Sequence, residues 1–159
     1  MKLFLTVGSM LPFDRLVHAM DAWAQENPEA QVFAQIGETS LHPSNMEYHA
    51  MISPSEYRKH FAACDVVVSH VGIGTIITAL EYTKPLVMLP RRPELHEVSS
   101  NHQLATAKWL ENRPGIHIVQ SENELANAIS VSVGSEGVSM IETGTRSKLI
   151  EALREFISH

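Results

Sequence analysis

Residues 65–75 read DVVVSHVGIGT, and this stretch decides the fold. Asp65 to Ser69 is the most continuous apolar, β-branched run in the chain. It lacks the polar alternation of a strand with one wet face, so it predicts a strand at the centre of a parallel sheet, covered on both sides. Gly72 and Gly74 then predict a tight turn into a helix over Gly74 to Tyr82, after which Pro85 to Leu89 (PLVML) supplies a second buried strand.

The same alternation continues in both directions. Downstream, Asn101 to Glu111 reads as a helix closed by Arg113-Pro114-Gly115, Ile116 to Val119 as a short strand, and Glu122 to Ile129 as a helix. Upstream, Lys2 to Gly8 (KLFLTVG) is a strand, and Pro12 opens a helix whose Leu16, Val17, Met20 and Trp23 recur at helical spacing. Gln31 to Gly37 (QVFAQIG) and Met46 to Ile52 (MEYHAMI) are two strands joined by a polar loop with Pro43 and Ser44; Pro54 starts a helix through SEYRKHFAAC. Gly134 to Gly144 reads as a flexible connection, and Arg146 to Ile157 as a terminal helix with Leu149, Ile150, Leu153, Phe156 and Ile157 on one face. That stripe suits packing on the chain's own sheet or docking on a neighbour. With no internal repeat, the pattern predicts one α/β domain over residues 1–159, an open, mostly parallel, Rossmann-like sheet with helices on both faces.

Composition sets bounds on function. Of the 159 residues 44% are hydrophobic, enough for one proper core, while 19% are charged and the net charge is -6, which excludes a general basic surface for nucleic acid. Cys64 is the single cysteine, so an internal disulfide is excluded. No stretch reaches the roughly 20 apolar residues of a membrane span, and Lys2 to Gly8 is too short for a signal-peptide core. The expectation is a soluble, cytoplasmic protein.

Three loops follow predicted strands and gather on one sheet edge, where ligands of such folds sit: Gly8-Ser9-Met10, residues 70–75, and Pro90 through Gln103. In the middle loop the glycines allow close backbone approach, and the free N–H groups of the next helix start, with the Thr75 hydroxyl, suit a diphosphate. A ligand-free strand-to-helix turn uses the same glycines. Glu81, one turn beyond Thr78 on one helix face, can accept from ribose hydroxyls or stand as a solvated glutamate. Arg91 and Arg92 at a strand's carboxyl end can fork onto phosphates, or be neutralised by Glu94 and Glu97. Asn101, His102 and Gln103 combine amide and imidazole groups that can read sugar hydroxyls, with helix capping by Asn101 as the plain alternative. Nine histidines are present, but without HxH or HExxH spacing, and His96 and His102 lack a clear third ligand; no bound metal is expected. Cys64 has no adjacent base and reads as a core thiol.

Three segments together, FLTVGSMLPFDRLV, SHVGIGTIITALEYTKPLVMLPRRPELHEV and NHQLATAKWL, resemble the carboxyl-terminal domain of family 28 glycosyltransferases. The likeness covers most of the chain and extends to stand-alone subunits of two-part lipid-linked N-acetylglucosaminyltransferases and bacterial exopolysaccharide glycosyltransferases. It implies the donor half of a GT-B enzyme, which binds a UDP-sugar without a cofactor or required metal. It implies further a membrane-anchored partner subunit that holds a lipid-linked acceptor, and so a location at the inner face of the membrane through that partner. Carried over by position, Gly8 and Ser9 match the first glycine-rich loop, Ser69, His70, Gly72, Gly74 and Thr75 fall in the diphosphate loop, and Asn101, His102 and Gln103 match the sugar motif. The family's ribose-binding glutamate falls on Thr78, which leaves Thr78 and Glu81 as competing ribose contacts. The catalytic base is expected on the partner.

The implied reaction is hexose transfer from UDP to an acceptor hydroxyl, the sugar being N-acetylglucosamine, glucose or galactose, in polysaccharide or glycoconjugate synthesis. Two other readings stand beside it: a non-catalytic nucleotide-sugar-binding or assembly subunit, and a stand-alone UDP-sugar hydrolase or epimerase using His70 or His102. A homodimer is compatible with all three.

Overall fold

Alternate residues along the central strands belong to different cores, and that alternation fixes the layers. Leu3, Leu5, Val66, Val68, Val87 and Leu89 pack in one cluster, while Phe4, Val67, Leu86 and Met88 pack in another. Both faces of the sheet are therefore covered, as the unbroken apolar run at Val66 to Val68 predicts. The computed structural model describes residues 1–139 and, beyond them, Glu151, Arg154 and Glu155.

The strands are β1 (Lys2–Thr6), β2 (Gln31–Gln35), β3 (Glu47–His49), β4 (Val66–His70), β5 (Leu86–Leu89) and β6 (Ile116–Ile118). All pair in parallel, in the order β3-β2-β1-β4-β5-β6. The helices are α1 (Asp14–Glu26), α2 (Pro54–Ala63), α3 (Ile73–Tyr82), α4 (His102–Leu110) and α5 (Leu125–Ser132). Leu16, Val17 and Met20 of α1 and Leu125 and Ile129 of α5 fill the first cluster. Phe61 of α2, Ile76 and Ala79 of α3 and Leu110 of α4 fill the second. Right-handed crossovers on opposite sides of the centre require this distribution. The open, parallel, Rossmann-like sheet expected from the sequence is the sheet observed.

Local chemistry explains the starts of the elements. Ser53 caps α2 with a capping box, its hydroxyl accepting from the Glu56 N–H while the Glu56 carboxylate accepts from the Ser53 N–H, and Pro54 occupies the first turn. Cys64 is buried and its thiol donates to the Phe61 carbonyl; burial pushes its pKa up to about 11, the behaviour of a core thiol.

Some boundaries differ from the expectation. The strand expected over Met46 to Ile52 is only three residues long, because β3 is an edge strand with one neighbour and Met51 and Ile52 turn away to line a cleft. The helix after β4 begins at Ile73 rather than Gly74, and short 3₁₀ turns occupy Pro93–Leu95 and Glu122–Glu124. The part of the expected connection after Ser139 and most of the expected terminal helix lie outside the described residues; of that helix Glu151, Arg154 and Glu155 are described, helical and exposed. No helix among the described residues is long and apolar enough to cross a membrane.

After α5 the chain returns across the amino end of the sheet. Val138 donates its N–H to the Lys84 carbonyl and is buried in the second cluster, and Gly137 lies against the Thr83 carbonyl so closely that a Cβ there would overlap it. Gly137→Ala is therefore expected to destabilise the fold by about 1–3 kcal/mol through overpacking against backbone. Thermal melting of the variant beside the parent checks this.

Candidate functional site

In a sheet of this order the loops after β1 and β4 leave toward opposite faces, which opens a crevice at the carboxyl ends of the two central strands. Thr6 of β1 pairs with Ser69 of β4, so the loops that follow them start side by side. A cleft of about 560 Å³ lies here, lined among others by Gly8, Gln35, Tyr57, His70, Gly74 and Thr78.

The His70 imidazole is the wedge of this cleft. It lies between the two loops: a Cβ added to Gly8 would stand 2.8 Å from His70 Cε1, and one added to Gly72 would overlap Nε2. Gly8 also has φ +81°, a left-handed backbone that suits glycine. Both glycines are therefore explained by the protein itself. Gly74 is not: a Cβ there meets no protein atom within 4 Å. It stands exposed in the first turn of α3, whose N-terminal cap Gly72 contributes no side chain. The N–H groups of the first helical turn have no intrahelical acceptor, and together with the helix dipole they make a site for an anion.

The wall on the β1 and β5 side is built around Arg91. Arg91 is 3% exposed; its Nη2 donates to the carbonyls of Val7 (2.7 Å) and Leu11 (2.6 Å), and its guanidinium lies 5.0 Å from the Phe13 ring centroid. Its Nε is buried without a hydrogen-bond partner. Burial pulls the Arg91 pKa down to about 10, with Glu97 opposing, so the group remains a cation at neutral pH. Facing it, His70 is driven to about 4 by burial and then by the charge of Arg91, with only the Thr6 backbone acting the other way. The imidazole is neutral at pH 7 and its Nδ1 is buried without a partner.

The opposite wall is hydroxyl-rich. Tyr57 of α2 lies 3.4 Å, oxygen to oxygen, from Thr75, and Thr78 donates its hydroxyl to the Gly74 carbonyl. Gln35, 4% exposed at the end of β2, donates its amide to the Gly8 carbonyl and braces the first glycine loop from below.

Of the residues singled out from the sequence, Gly8, Ser9, His70, Gly72, Gly74, Thr75, Thr78 and Arg91 line this one cleft. Gln103 is joined to it indirectly, its Oε1 accepting from the Arg91 N–H at 3.0 Å. The others stand off the lining. Ser69 is buried in β4 with its hydroxyl turned onto the His70 carbonyl, and Glu81 is exposed on α3. Arg92 is paired with Glu94 and donates to the Gln120 carbonyl; Asn101 and His102 are exposed at the start of α4. Gln35, Met51, Ile52 and Tyr57 line the cleft without having been singled out. A polar amide inside the otherwise apolar run Val32 to Ile36 is the one signal that points to Gln35.

A model of the glycosyltransferase family 28 C-terminal domain matches residues 2–134. The chain belongs to that family. It is a glycosyltransferase family domain, and its fold is shared by solved structures. The glycotransferase of kitacinnamycin superposes with a TM-score of 0.64 at 19% identity over 99% of this chain and 40% of that one. ALG13, solved by NMR, gives 0.65 at 18% identity over 93% of this chain and 94% of that one. MurG of Acinetobacter baumannii gives 0.56 at 18% identity over 80% and 40%. This family 28 chain thus spans about two fifths of the kitacinnamycin enzyme and of MurG, and nearly all of ALG13. No curated protein sequence matches it.

The His70 environment carries a pH signature. Its folded-state pKa, about 4, lies below the ordinary 6.5, so the unfolded chain binds the extra proton first and stability falls as pH drops from about 6.5 to about 4. His60 and His117 are also lowered by burial and act in the same direction. Replacing His70 by Gln is expected to flatten, without abolishing, the loss of melting temperature between pH 7 and pH 4.5. A pH series of thermal melts on both proteins checks this.

Proposed function

We propose that this chain is the donor-binding subunit of a two-component glycosyltransferase that transfers a hexose from UDP to a lipid-linked acceptor. The observation that carries the reading is Gly74, a first-turn helix glycine with open space where its side chain would be. Glycine there lets a ligand approach the α3 donors, and the buried Arg91 cation behind the loop favours an anionic one. A diphosphate fits that combination. Gly8, Ser9, Gly72 and Thr75 would contact it, and Thr78 with Tyr57 would face the ribose. Asn101, His102 and Gln103 would meet the sugar.

Transfer from such a donor places a growing negative charge on the departing diphosphate. The α3 N-terminus, the Arg91 charge and the fixed loop dipoles stabilise that charge without reorganising, which is how preorganised donors lower a barrier. The acceptor hydroxyl must lose a proton. Among the described residues lining the cleft none is an Asp or Glu, and His70, neutral and wedged between glycines, is a poor acceptor. The base accordingly comes from a second component, which also brings the acceptor into reacting geometry. Met10, 90% exposed, with Leu11, Met51 and Leu95, makes the loops at this sheet edge apolar, in keeping with a surface that the second component covers. A membrane-anchored partner would hold this half at the inner face of the membrane.

Calorimetric titration with UDP, with UDP-N-acetylglucosamine, UDP-glucose and UDP-galactose, and with GDP as control tests the reading. Uridine-selective binding is expected. Gly74→Glu should weaken it at least about tenfold through like-charge repulsion at close range, with the melting temperature not lowered, because a Cβ there meets no protein atom within 4 Å and the first turn of a helix favours Glu over Gly. Equal binding of GDP, or indifference to Gly74→Glu, would overturn it.

A further inference from the structure

Arg15 and Glu97 stand outside the cleft lining, yet they make the densest polar contact among the described residues. Arg15 forks onto Glu97, Nε to Oε1 at 2.7 Å and Nη2 to Oε2 at 2.9 Å, with side chains only 15% and 12% exposed. The same Nη2 donates to the Pro90 carbonyl at 3.1 Å, and Nη1 reaches Glu122 at 3.0 Å. Glu97 Oε2 also accepts from the Arg92 N–H at 2.9 Å. The pair therefore grips two consecutive peptide groups, Pro90-Arg91 through its carbonyl and Arg91-Arg92 through its N–H.

A peptide group is planar, so holding its carbonyl sets the direction of its N–H. The Pro90-Arg91 group is trans, like every other described peptide bond, and its N–H is the donor to Gln103 Oε1. Arg15 on one edge of this plane and Gln103 on the other are joined through a rigid unit. With Oε1 engaged, Gln103 is left with its NH₂ as the free end of the amide. The amide orientation follows from this bond, because an Arg91 N–H can face only an acceptor.

We infer that Arg15 and Glu97 are positioning residues for the Gln103 amide, presetting its NH₂ to meet the sugar of the donor. The assignment of Gln103 to the sugar rests on the function proposed above; the mechanical link does not. Loop residues 92–97 support the link. They close on themselves by Leu95 N–H to Arg92 carbonyl, His96 N–H to Pro93 carbonyl and Glu97 N–H to Arg92 carbonyl, with His96 at φ +57°. A loop closed this tightly passes the grip of Glu97 on to the backbone of Arg91 and Arg92.

Two measurements test the inference on the full chain. The first needs no ligand: the Gln103 side-chain NH₂ signals in a ¹⁵N–¹H correlation spectrum should be dispersed in the parent protein. In Arg15→Met and Glu97→Gln they should collapse toward free-amide positions, with Arg15→Lys intermediate because it keeps the charge but loses the fork. Unchanged Gln103 signals in folded variants would overturn it. The second is calorimetry with UDP and the UDP-sugar that the parent binds best. Arg15→Met should lower UDP-sugar affinity by roughly five- to tenfold, the loss of one hydrogen bond, while UDP affinity stays within about twofold. In a Gln103→Ala background Arg15→Met should cost nothing further. Equal losses for UDP and UDP-sugar, or an additive loss in that background, would reduce the pair to a structural strut. If the parent binds no uridine nucleotide, the functional proposal fails and the spectra alone decide the link.

Discussion

Leu3 to Thr6 of β1 lie against Val66 to Ser69 of β4 across the middle of the sheet, and this long-range parallel pairing sets where every cleft loop begins. From β1 the chain steps outward to β2 and β3; from β4 it steps the other way to β5 and β6. The loops at the two strand ends must therefore part to opposite faces, and the gap between them is a consequence of topology. The His70 ring fills the depth of that gap and Gly8 and Gly72 give way to it, so that the floor of the cleft is packed while its mouth stays open at Gly74.

Charge around the cleft is used mainly for construction. Phe13 has the Arg91 guanidinium 5.0 Å from its ring centroid and the Arg15 guanidinium 5.4 Å away. Arg91, from the loop after β5, holds carbonyls of the loop after β1. Arg15, from the helix after β1, holds the loop after β5. The two loops are stitched in both directions by groups that cannot lose their charge at neutral pH. A buried cation without a carboxylate of its own is costly unless carbonyl dipoles surround it. Here those dipoles belong to the loop at the cleft, so one contact both orders the loop and leaves a positive field for an anionic ligand.

The layers of the fold were legible in the sequence for a specific reason. Burial on both faces leaves an unbroken apolar signature at Val66 to Val68 and Leu86 to Leu89, and glycines after β1 and β4 mark loops that approach something closely. Thus Gly8, Gly72, Gly74 and Thr75 could be collected from motif spacing alone. Edge strand β3 was harder to bound, since a strand with one neighbour and half-exposed residues carries little periodicity. Tyr57 and Gln35 were missed because a tyrosine in an amphipathic helix and an amide at a strand end look ordinary until the strand order carries them to the cleft.

Arg91 and Arg92 show the division most clearly. Side by side in the sequence, they offer the same guanidinium chemistry and the same position after a strand. By itself the sequence determined the alternation of strands and helices, the two-sided burial, the family, and which glycines and hydroxyls could gather at one sheet edge. Only the tertiary structure decided that Arg91 turns inward to the carbonyls of Val7 and Leu11 while Arg92 turns outward to Glu94 and Gln120. The reason is that a side chain's partners are set by what the rest of the chain brings within reach, here carbonyls some eighty positions away, and no local pattern records that.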